Sequence, residues 1–186
     1  GERETGATLH RMNEKPDNGA IVDQCAVPIL GDDTAREVFA KVSVAAEIVL
    51  ARSLPGLVAG TATERPQDLS QGGYFGGRKP EDGRIRAAAS AQQIHNLVRA
   101  LAPPYPPAFA DFGGRRVFVE RTSLRPAHAP WPADGRLRLC VDEDRLWLVA
   151  GDGHGLQVMA ARVDAQPLAA AGFERLFGAS VACADA

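Results

Sequence analysis

The chain has 186 residues, of which 45% are hydrophobic and 24% charged, the ordinary balance of a soluble globular protein. Its formal net charge of −2 argues against a global electrostatic attraction to nucleic acid or to an anionic membrane. No run of about 20 apolar residues and no signal-peptide pattern occurs, so we expect no membrane insertion and a cytoplasmic location.

The first elements form a strand–loop–strand pattern. Residues 7–12 and 20–29 alternate apolar or β-branched side chains with polar ones, which predicts two strands. Between them, residues 13–19 (NEKPDNG) are dense in turn formers. We interpret His10, in the first strand, as a structural histidine. Asp17 lies at the loop tip, where a carboxylate is solvated by default and gains a catalytic role only beside a cleft.

A long helix follows. Thr34 and Glu37 form a T-x-x-E capping box, which predicts the helix start. Apolar residues at three- and four-residue spacing then predict one core face: Val38, Phe39, Val42, Ala45, Ala46, Val49 and Leu50. We expect Pro55 to end or kink this helix.

Residues 60–83 are polar, rich in glycine and aperiodic, and we place a domain boundary near their end, with domains at 1–82 and 83–186. The run at 72–79 (GGYFGGRK) could cradle an anion with backbone N–H groups. Glycine runs outside a strand–helix context are usually loops, so we interpret it as a loop.

The rest of the chain, more than half of its residues, is predicted to be mostly β. Ser90 and Gln93 open a second capped helix, and the prolines from Pro103 onward end it. Four short strands with turns between them indicate a small barrel or sandwich: residues 116–121, 136–141, 146–150 and 156–163. A terminal helix is predicted over residues 169–176.

Local motifs give no metal site and no familiar catalytic constellation. Cys25 and Cys140 lie in apolar strand-like runs, and we interpret both as buried hydrophobic residues; Cys183 stands far from them, so the odd count fits a reducing compartment. HExxH, CxxC, GxSxG and Walker A motifs do not occur in the sequence. The four histidines are spread along the chain: His10, His95, His128 and His154.

Several blocks of sequence resemble one known family. Residues 8–12 (TLHRM) and 15–22 (KPDNGAIV) are similar to the second half of the active-site region in folate-dependent formyltransferases. Residues 74–85 (YFGGRKPEDGRI) resemble the junction between the two domains of that family. Residues 94–101 and 104–109 resemble the stretch that follows. The blocks occur in the family's order and spacing over essentially the whole chain.

This resemblance implies an α/β remnant of a Rossmann-like formyltransferase domain followed by a small OB-like β-barrel domain. It also implies transfer of a formyl group from 10-formyltetrahydrofolate to an amine. The histidine-bearing first strand and the junction block are most similar to the branch that formylates the sugar nucleotide UDP-4-amino-4-deoxy-L-arabinose for lipid A modification.

The family uses an Asn, a His and an Asp around the formyl carbon, and the Asp of its D-x-G motif falls on Asp17. The segment whose backbone contacts folate in the family matches Asn13, Glu14, Lys15, Pro16 and Asp17. The family's catalytic His belongs to an Asn-x-His motif upstream, so it is not His10. Since the sequence contains no Asn-x-His, we expect an incomplete C-terminal portion without turnover by itself.

Two other hypotheses stay open. In the methionyl-tRNA branch the barrel would face nucleic acid, and a basic cluster could serve this: Arg115, Arg116, Arg121 and Arg125. Acidic residues offset that cluster, so we do not expect nucleic acid as a partner: Asp142, Glu143, Asp144, Asp152 and Asp164. A non-catalytic binding or assembly module is the third hypothesis, and a homo-oligomer formed through the barrel would fit it. Relatives also carry an Asp-Trp pair after the junction, where this chain has Arg86 and Ala87, so we expect a looser junction or an interface that is built differently.

Overall fold

The computed structural model describes residues 1–124 and 131–185; Arg125 and His128 lie outside these ranges. The chain divides into two units, Glu2–Gly77 and Arg78–Ala186, which are described separately below. Among the described residues, no helix is both long and apolar enough to cross a membrane.

The first unit is an antiparallel hairpin covered by one helix. Strand β1 (Glu4–His10) pairs with β2 (Ile21–Pro28), and helix α1 (Ala35–Val58) packs on both. The first strand was predicted over residues 7–12, a range that lies two to three residues too far toward the C-terminus. Pairing of Glu4 with Pro28 extends the strand at its start, and a register shift at His10 ends it.

The predicted capping box at the start of α1 is confirmed. The backbone N–H of Thr34 donates to Glu37 Oε2 at 2.7 Å, and the N–H of Glu37 donates to the Thr34 hydroxyl at 3.4 Å. Pro55, however, does not end the helix, which continues to Val58. A proline in the last turn removes only one backbone hydrogen bond, and the helix tolerates that loss near its end.

The predicted core face of α1 was too broad. Ala45 and Val49 are buried, but Phe39 is 70% exposed and Leu50 50% exposed. The helix is apolar around much of its circumference, so periodicity alone does not tell which apolar side faces the hairpin.

An ion pair ties α1 to β2. Arg52 Nη2 donates to Asp23 Oδ1 at 2.8 Å and to the carbonyl oxygen of Gln24 at 2.6 Å, and the Ser53 hydroxyl donates to Asp23 Oδ2 at 3.0 Å. The hydrogen bonds to the Asp23 carboxylate, that from Arg52 above all, lower the pKa of Asp23 to about 2.

The second unit is built on one antiparallel sheet. Its elements in chain order are α2 (Ala91–Ala100), β3 (Ala108–Phe112), β4 (Arg115–Ser123), β5 (Arg138–Asp142), β6 (Arg145–Val149), β7 (Gly155–Val163), β8 (Gln166–Pro167), α3 (Ala170–Phe177) and β9 (Val181–Cys183). The strands lie in the order β3-β4-β7-β6-β5-β9, with β8 beside β7. The S-x-x-Q box at Ser90 and Gln93 is confirmed as the cap of α2.

This sheet nearly closes into a barrel. A bridge between Phe112 and Ala184 links the strand at one end of the order to the chain just after the strand at the other end. The interior is filled by Phe112, Leu139, Leu148, Leu156 and Phe173, all fully buried. Sequence patterning missed β3, β8 and β9, which have only five, two and three residues and are too short to show a periodic pattern. The partner of β9, strand β5, also lies about 43 residues earlier in the sequence.

The two cysteines in strands, Cys25 and Cys140, differ in burial. Cys140 is buried, as predicted, and burial raises the pKa of its thiol to about 11. Cys25 is only half-buried, so the interpretation of it as a buried residue was wrong. A two-stranded hairpin under a single helix offers less cover than a nearly closed barrel.

Candidate active-site loop

The loop between β1 and β2 has a narrow neck. The backbone N–H of Arg11 donates to the carbonyl oxygen of Ala20 at 2.9 Å, so the chain enters and leaves the loop side by side. Arg11 also forms an ion pair with Glu64 at 2.7 Å. Gly19 is buried at this neck, where a Cβ atom would lie 1.6 Å from the carbonyl oxygen of Arg11. Only glycine fits there without moving the backbone.

Asp17 occupies the exposed end of the loop. Its backbone has a φ of +54°, a conformation that aspartate tolerates better than most residues, and its side chain is 84% exposed. Its Oδ1 lies 3.7 Å from Nε2 of His10, whose side chain is 25% exposed. The structure therefore brings together the sequence candidate Asp17 and a histidine that we had interpreted as structural.

The hydrogen bond at the other ring nitrogen decides what His10 can do. Its Nδ1 lies 2.8 Å from the carbonyl oxygen of Arg11, which can only accept, so Nδ1 carries the proton. In the neutral ring Nε2 then presents a lone pair toward Asp17, and attraction between the two begins only when the imidazole is protonated.

The remaining residues predicted to contact folate precede Asp17 in the same loop. Asn13 Oδ1 accepts the backbone N–H of Lys15 at 3.0 Å, which makes a local turn. Glu14 is exposed, and the Tyr74 hydroxyl lies 3.5 Å from the carbonyl oxygen of Pro16. The four residues from Asn13 to Pro16 thus form an accessible surface beside Asp17.

Gln67 was not identified from the sequence as a residue that contacts this loop. Gln67 reaches the loop from the segment after α1, with Nε2 3.1 Å from the carbonyl oxygen of Asp17 and 2.6 Å from that of Gly19. The sequence shows only a polar, aperiodic stretch around Gln67. No local pattern indicates a contact between residues about 50 positions apart.

Two other histidines, His95 and His154, belong to the second unit and not to this loop. His95 is buried in the second unit, with Nδ1 2.9 Å from the Thr122 hydroxyl. His154 lies 3.4 Å from Asp152 in an exposed pair. Within residues 1–124 and 131–185, no group of three or more His, Cys, Asp or Glu residues is arranged to hold a metal ion.

The glycine-rich run that we interpreted as a loop follows a 3-10 turn at Leu69–Gln71, and not a strand. Tyr74 and Phe75 in this run are almost fully exposed, at 86% and 97%. The run lacks the strand–helix context that a phosphate-binding loop needs.

Acidic residues accompany the basic cluster of the second unit. Arg116 Nε donates to Asp111 Oδ1 at 2.9 Å, and Arg84 Nη1 donates to Asp111 Oδ2 at 3.0 Å. The Arg116 and Arg84 guanidiniums hold the pKa of Asp111 below its usual value. Arg115 pairs with Asp164 at 3.2 Å. Two members of the predicted cluster are thus largely neutralised within the molecule.

Two family models match the chain. The model of the formyl transferase C-terminal domain matches residues 78–171, and the formyl transferase model matches residues 1–54. Each described unit therefore carries one match.

Solved structures share the fold at low identity. HypX from Aquifex aeolicus in complex with tetrahydrofolic acid is 17% identical with a TM-score of 0.67, over 95% of this chain and 31% of that one. An N-formyltransferase from Helicobacter canadensis in complex with folinic acid and dTDP-3-aminofucose is 20% identical with a TM-score of 0.59, over 84% and 56%. Methionyl-tRNA formyltransferase from Clostridium thermocellum is 24% identical with a TM-score of 0.53, over 66% and 52%. The chain spans between 31% and 56% of the length of these proteins.

Proposed function

This chain belongs to the formyltransferase family, and we propose that its hairpin loop serves formyl transfer from 10-formyltetrahydrofolate to the amine of a sugar nucleotide. In this proposal Asp17 is the catalytic carboxylate of the loop. The backbone of Asn13, Glu14, Lys15 and Pro16 forms the surface against which the folate lies.

One observation carries the proposal: a tight, glycine-closed loop presents the carboxylate of Asp17 to solvent next to an imidazole. The neck at Gly19 fixes where the loop begins and ends, and the positive φ of Asp17 sets the direction of its side chain. An exposed carboxylate held in this way can orient a protonated imidazole and stabilise its positive charge. The four residues before Asp17, residues 13–16, are all exposed, so a flat ligand can reach their backbone.

The folate supplies the activated formyl group when it is bound. Among the residues of this chain, Asp17 would act on the proton that leaves the attacking amine, through the imidazole that its carboxylate orients. His10 is such an imidazole in this structure, although the family resemblance assigns the role to the histidine of an Asn-x-His motif. We therefore also propose that turnover needs the asparagine and histidine of that motif, and that the 186 residues alone bind folate without turnover.

A sugar nucleotide is the acceptor that we favour. The Helicobacter canadensis enzyme has a dTDP-amino sugar in its structure, and the junction block at 74–85 resembles the branch acting on UDP-4-amino-4-deoxy-L-arabinose. The lipid A pathway is the corresponding biological setting. A tRNA acceptor is less well supported, since Arg115 and Arg116 already pair with carboxylates.

The proposal also assigns a fold to each part of the chain. The first unit would be part of a Rossmann-like formyltransferase domain within residues 1–82. The nearly closed sheet would be an OB-like barrel within residues 83–186.

Binding of 5-formyltetrahydrofolate, a stable relative of the co-substrate, tests the folate part. We expect calorimetry to show saturable binding to the chain, weakened by substitution of Asp17 and unchanged by Glu47→Gln, which alters an exposed carboxylate on α1. Absence of binding both to the chain and to the complete gene product that carries it would contradict the proposal.

A further inference from the structure

A single amide group spans the base of the Asp17 loop. Gln67 Nε2 lies 3.1 Å from the carbonyl oxygen of Asp17 and 2.6 Å from that of Gly19. A primary amide nitrogen has two hydrogens, so it can donate to both carbonyls at once. The two acceptors flank Asn18, and the side chain of Gln67 thereby closes the turn that follows Asp17.

The backbone places Gln67 opposite the turn. Arg65 and Ile21 exchange both backbone hydrogen bonds, at 2.8 and 2.9 Å, as an antiparallel bridge. In an antiparallel pair each step forward on one chain is a step back on the other, so residue 67 falls opposite residue 19. The hydrogen bond to the carbonyl oxygen of Gly19 is partly buried, which strengthens it, whereas the one to Asp17 is exposed.

The turn needs such support. Asp17 has a positive φ, which costs a residue other than glycine some strain. The neck is fixed by the Arg11–Ala20 hydrogen bond and by the close approach of Gly19 to Arg11. Between the neck and the tip of the loop, the side-chain amide of Gln67 donates to the backbone carbonyl of Asp17, the residue whose carboxylate is exposed.

We propose that Gln67 is a positioning residue of the active site: it fixes the backbone of Asp17, and through it the direction of the catalytic carboxylate. The catalytic part of this inference rests on the proposed function. Within the part of the chain that the structure describes, the side-chain amide of Gln67 donates to backbone carbonyls of the loop, so it acts through Asp17 and not on the reacting atoms.

The geometric part is tested without any assay of activity. Gln67→Glu keeps the size of the side chain but replaces the donating nitrogen with a carboxylate oxygen, which repels both carbonyls. We expect the backbone amides of residues 13–15 and 17–19 to exchange hydrogen about tenfold faster or more than in the wild type; Pro16 has no amide hydrogen. Gln92→Glu, the same change on an exposed face of α2 in the other unit, should leave that exchange unchanged. Equal exchange in Gln67→Glu and wild type would overturn the inference.

The catalytic part is tested on the complete gene product. We expect Gln67→Glu to lower kcat by about tenfold to a hundredfold, because a small misplacement of a catalytic group has a cost of this size. The KM for the amine acceptor should change little. Gln67→Asn retains a donating amide on a shorter side chain and should restore part of kcat. A loss confined to KM, or equal kcat in Gln67→Asn and Gln67→Glu, would overturn the positioning role.

The two proposals fail separately. If the wild type neither binds 5-formyltetrahydrofolate nor transfers a formyl group, the proposed function is wrong, whereas exchange in the loop still decides whether Gln67 holds Asp17. If the wild type binds and transfers but Gln67→Glu does so equally well, the positioning role is wrong and the proposed function stands.

Discussion

A Cβ atom at Gly19 would lie 1.6 Å from the carbonyl oxygen of Arg11, well inside the contact distance of the two atoms. The Asp17 loop therefore closes only because residue 19 has no side chain. Gly19→Ala must push the two sides of the neck apart and break the hydrogen bond between Arg11 and Ala20.

We predict that Gly19→Ala lowers the free energy of unfolding of the first unit by about 1 to 3 kcal/mol, the usual cost of forcing an atom into filled space. It should also weaken 5-formyltetrahydrofolate binding, since the loop carries the proposed folate surface. Chemical denaturation and calorimetry measure the two effects. Gly31→Ala is the control, because a Cβ there meets nothing within 4 Å. Wild-type affinity in Gly19→Ala would show that the loop's closure is irrelevant to binding.

The ion pair between Asp23 and Arg52 predicts a pH dependence of the first unit. The pKa of Asp23 falls from the ordinary 3.8 to about 2 in the folded state. A carboxyl whose folded pKa is depressed contributes stability above its unfolded pKa, and that contribution is lost as the pH falls through the folded value. The contribution should be complete above about pH 4 and vanish toward pH 2.

Asp23→Asn isolates this effect from that of other carboxylates. At pH 6 the variant should have a lower denaturation midpoint than the wild type, followed by the far-ultraviolet ellipticity of α1. The difference should shrink between pH 4 and pH 2. A difference that stays constant over this range would mean that ionisation of Asp23 does not stabilise the contact between α1 and β2.

The contact between Asp185 and the turn from β3 to β4 gives a third prediction. The Asp185 carboxylate accepts the backbone N–H groups of Gly113 and Gly114, both at 2.9 Å, in the turn between β3 and β4. Asp185→Ala should therefore destabilise the second unit by about 1 to 2 kcal/mol. Both tryptophans of the chain, Trp131 and Trp147, lie in that unit, so their fluorescence during urea denaturation reports on it alone.

Asp142→Ala, at the exposed end of β5, is the control for the loss of a carboxylate from this unit. We expect it to leave the fluorescence midpoint within experimental scatter. If Asp185→Ala and Asp142→Ala give the same midpoint, the two hydrogen bonds from the glycine turn to Asp185 do not stabilise the second unit.

Features encoded within a few residues were predictable from sequence. The boxes at Thr34 and Ser90 begin α1 and α2 as expected, because an N-cap needs only a side chain and the backbone three residues later. The resemblance likewise identified the family, which the two model matches confirm.

Features that depend on distant partners were not predictable. Strand β9 exists because it pairs with β5, about 43 residues earlier, and its three residues show no pattern of their own. Gln67 meets the Asp17 loop for the same kind of reason, through the bridge between Arg65 and Ile21. Periodicity also failed on α1, where Phe39 and Leu50 belong to apolar sides that the hairpin does not cover.

The role of Asp17 is the central claim, and Asp17→Asn in the complete gene product tests it most directly. The substitution keeps the shape of a side chain that is 84% exposed, so the fold should be unaffected. We predict that kcat for formyl transfer from 10-formyltetrahydrofolate to an amino sugar nucleotide falls by about a hundredfold or more, with Glu47→Gln as the control that keeps wild-type activity. An Asp17→Asn enzyme with the wild-type rate and pH profile would contradict the assignment of Asp17 as the catalytic carboxylate.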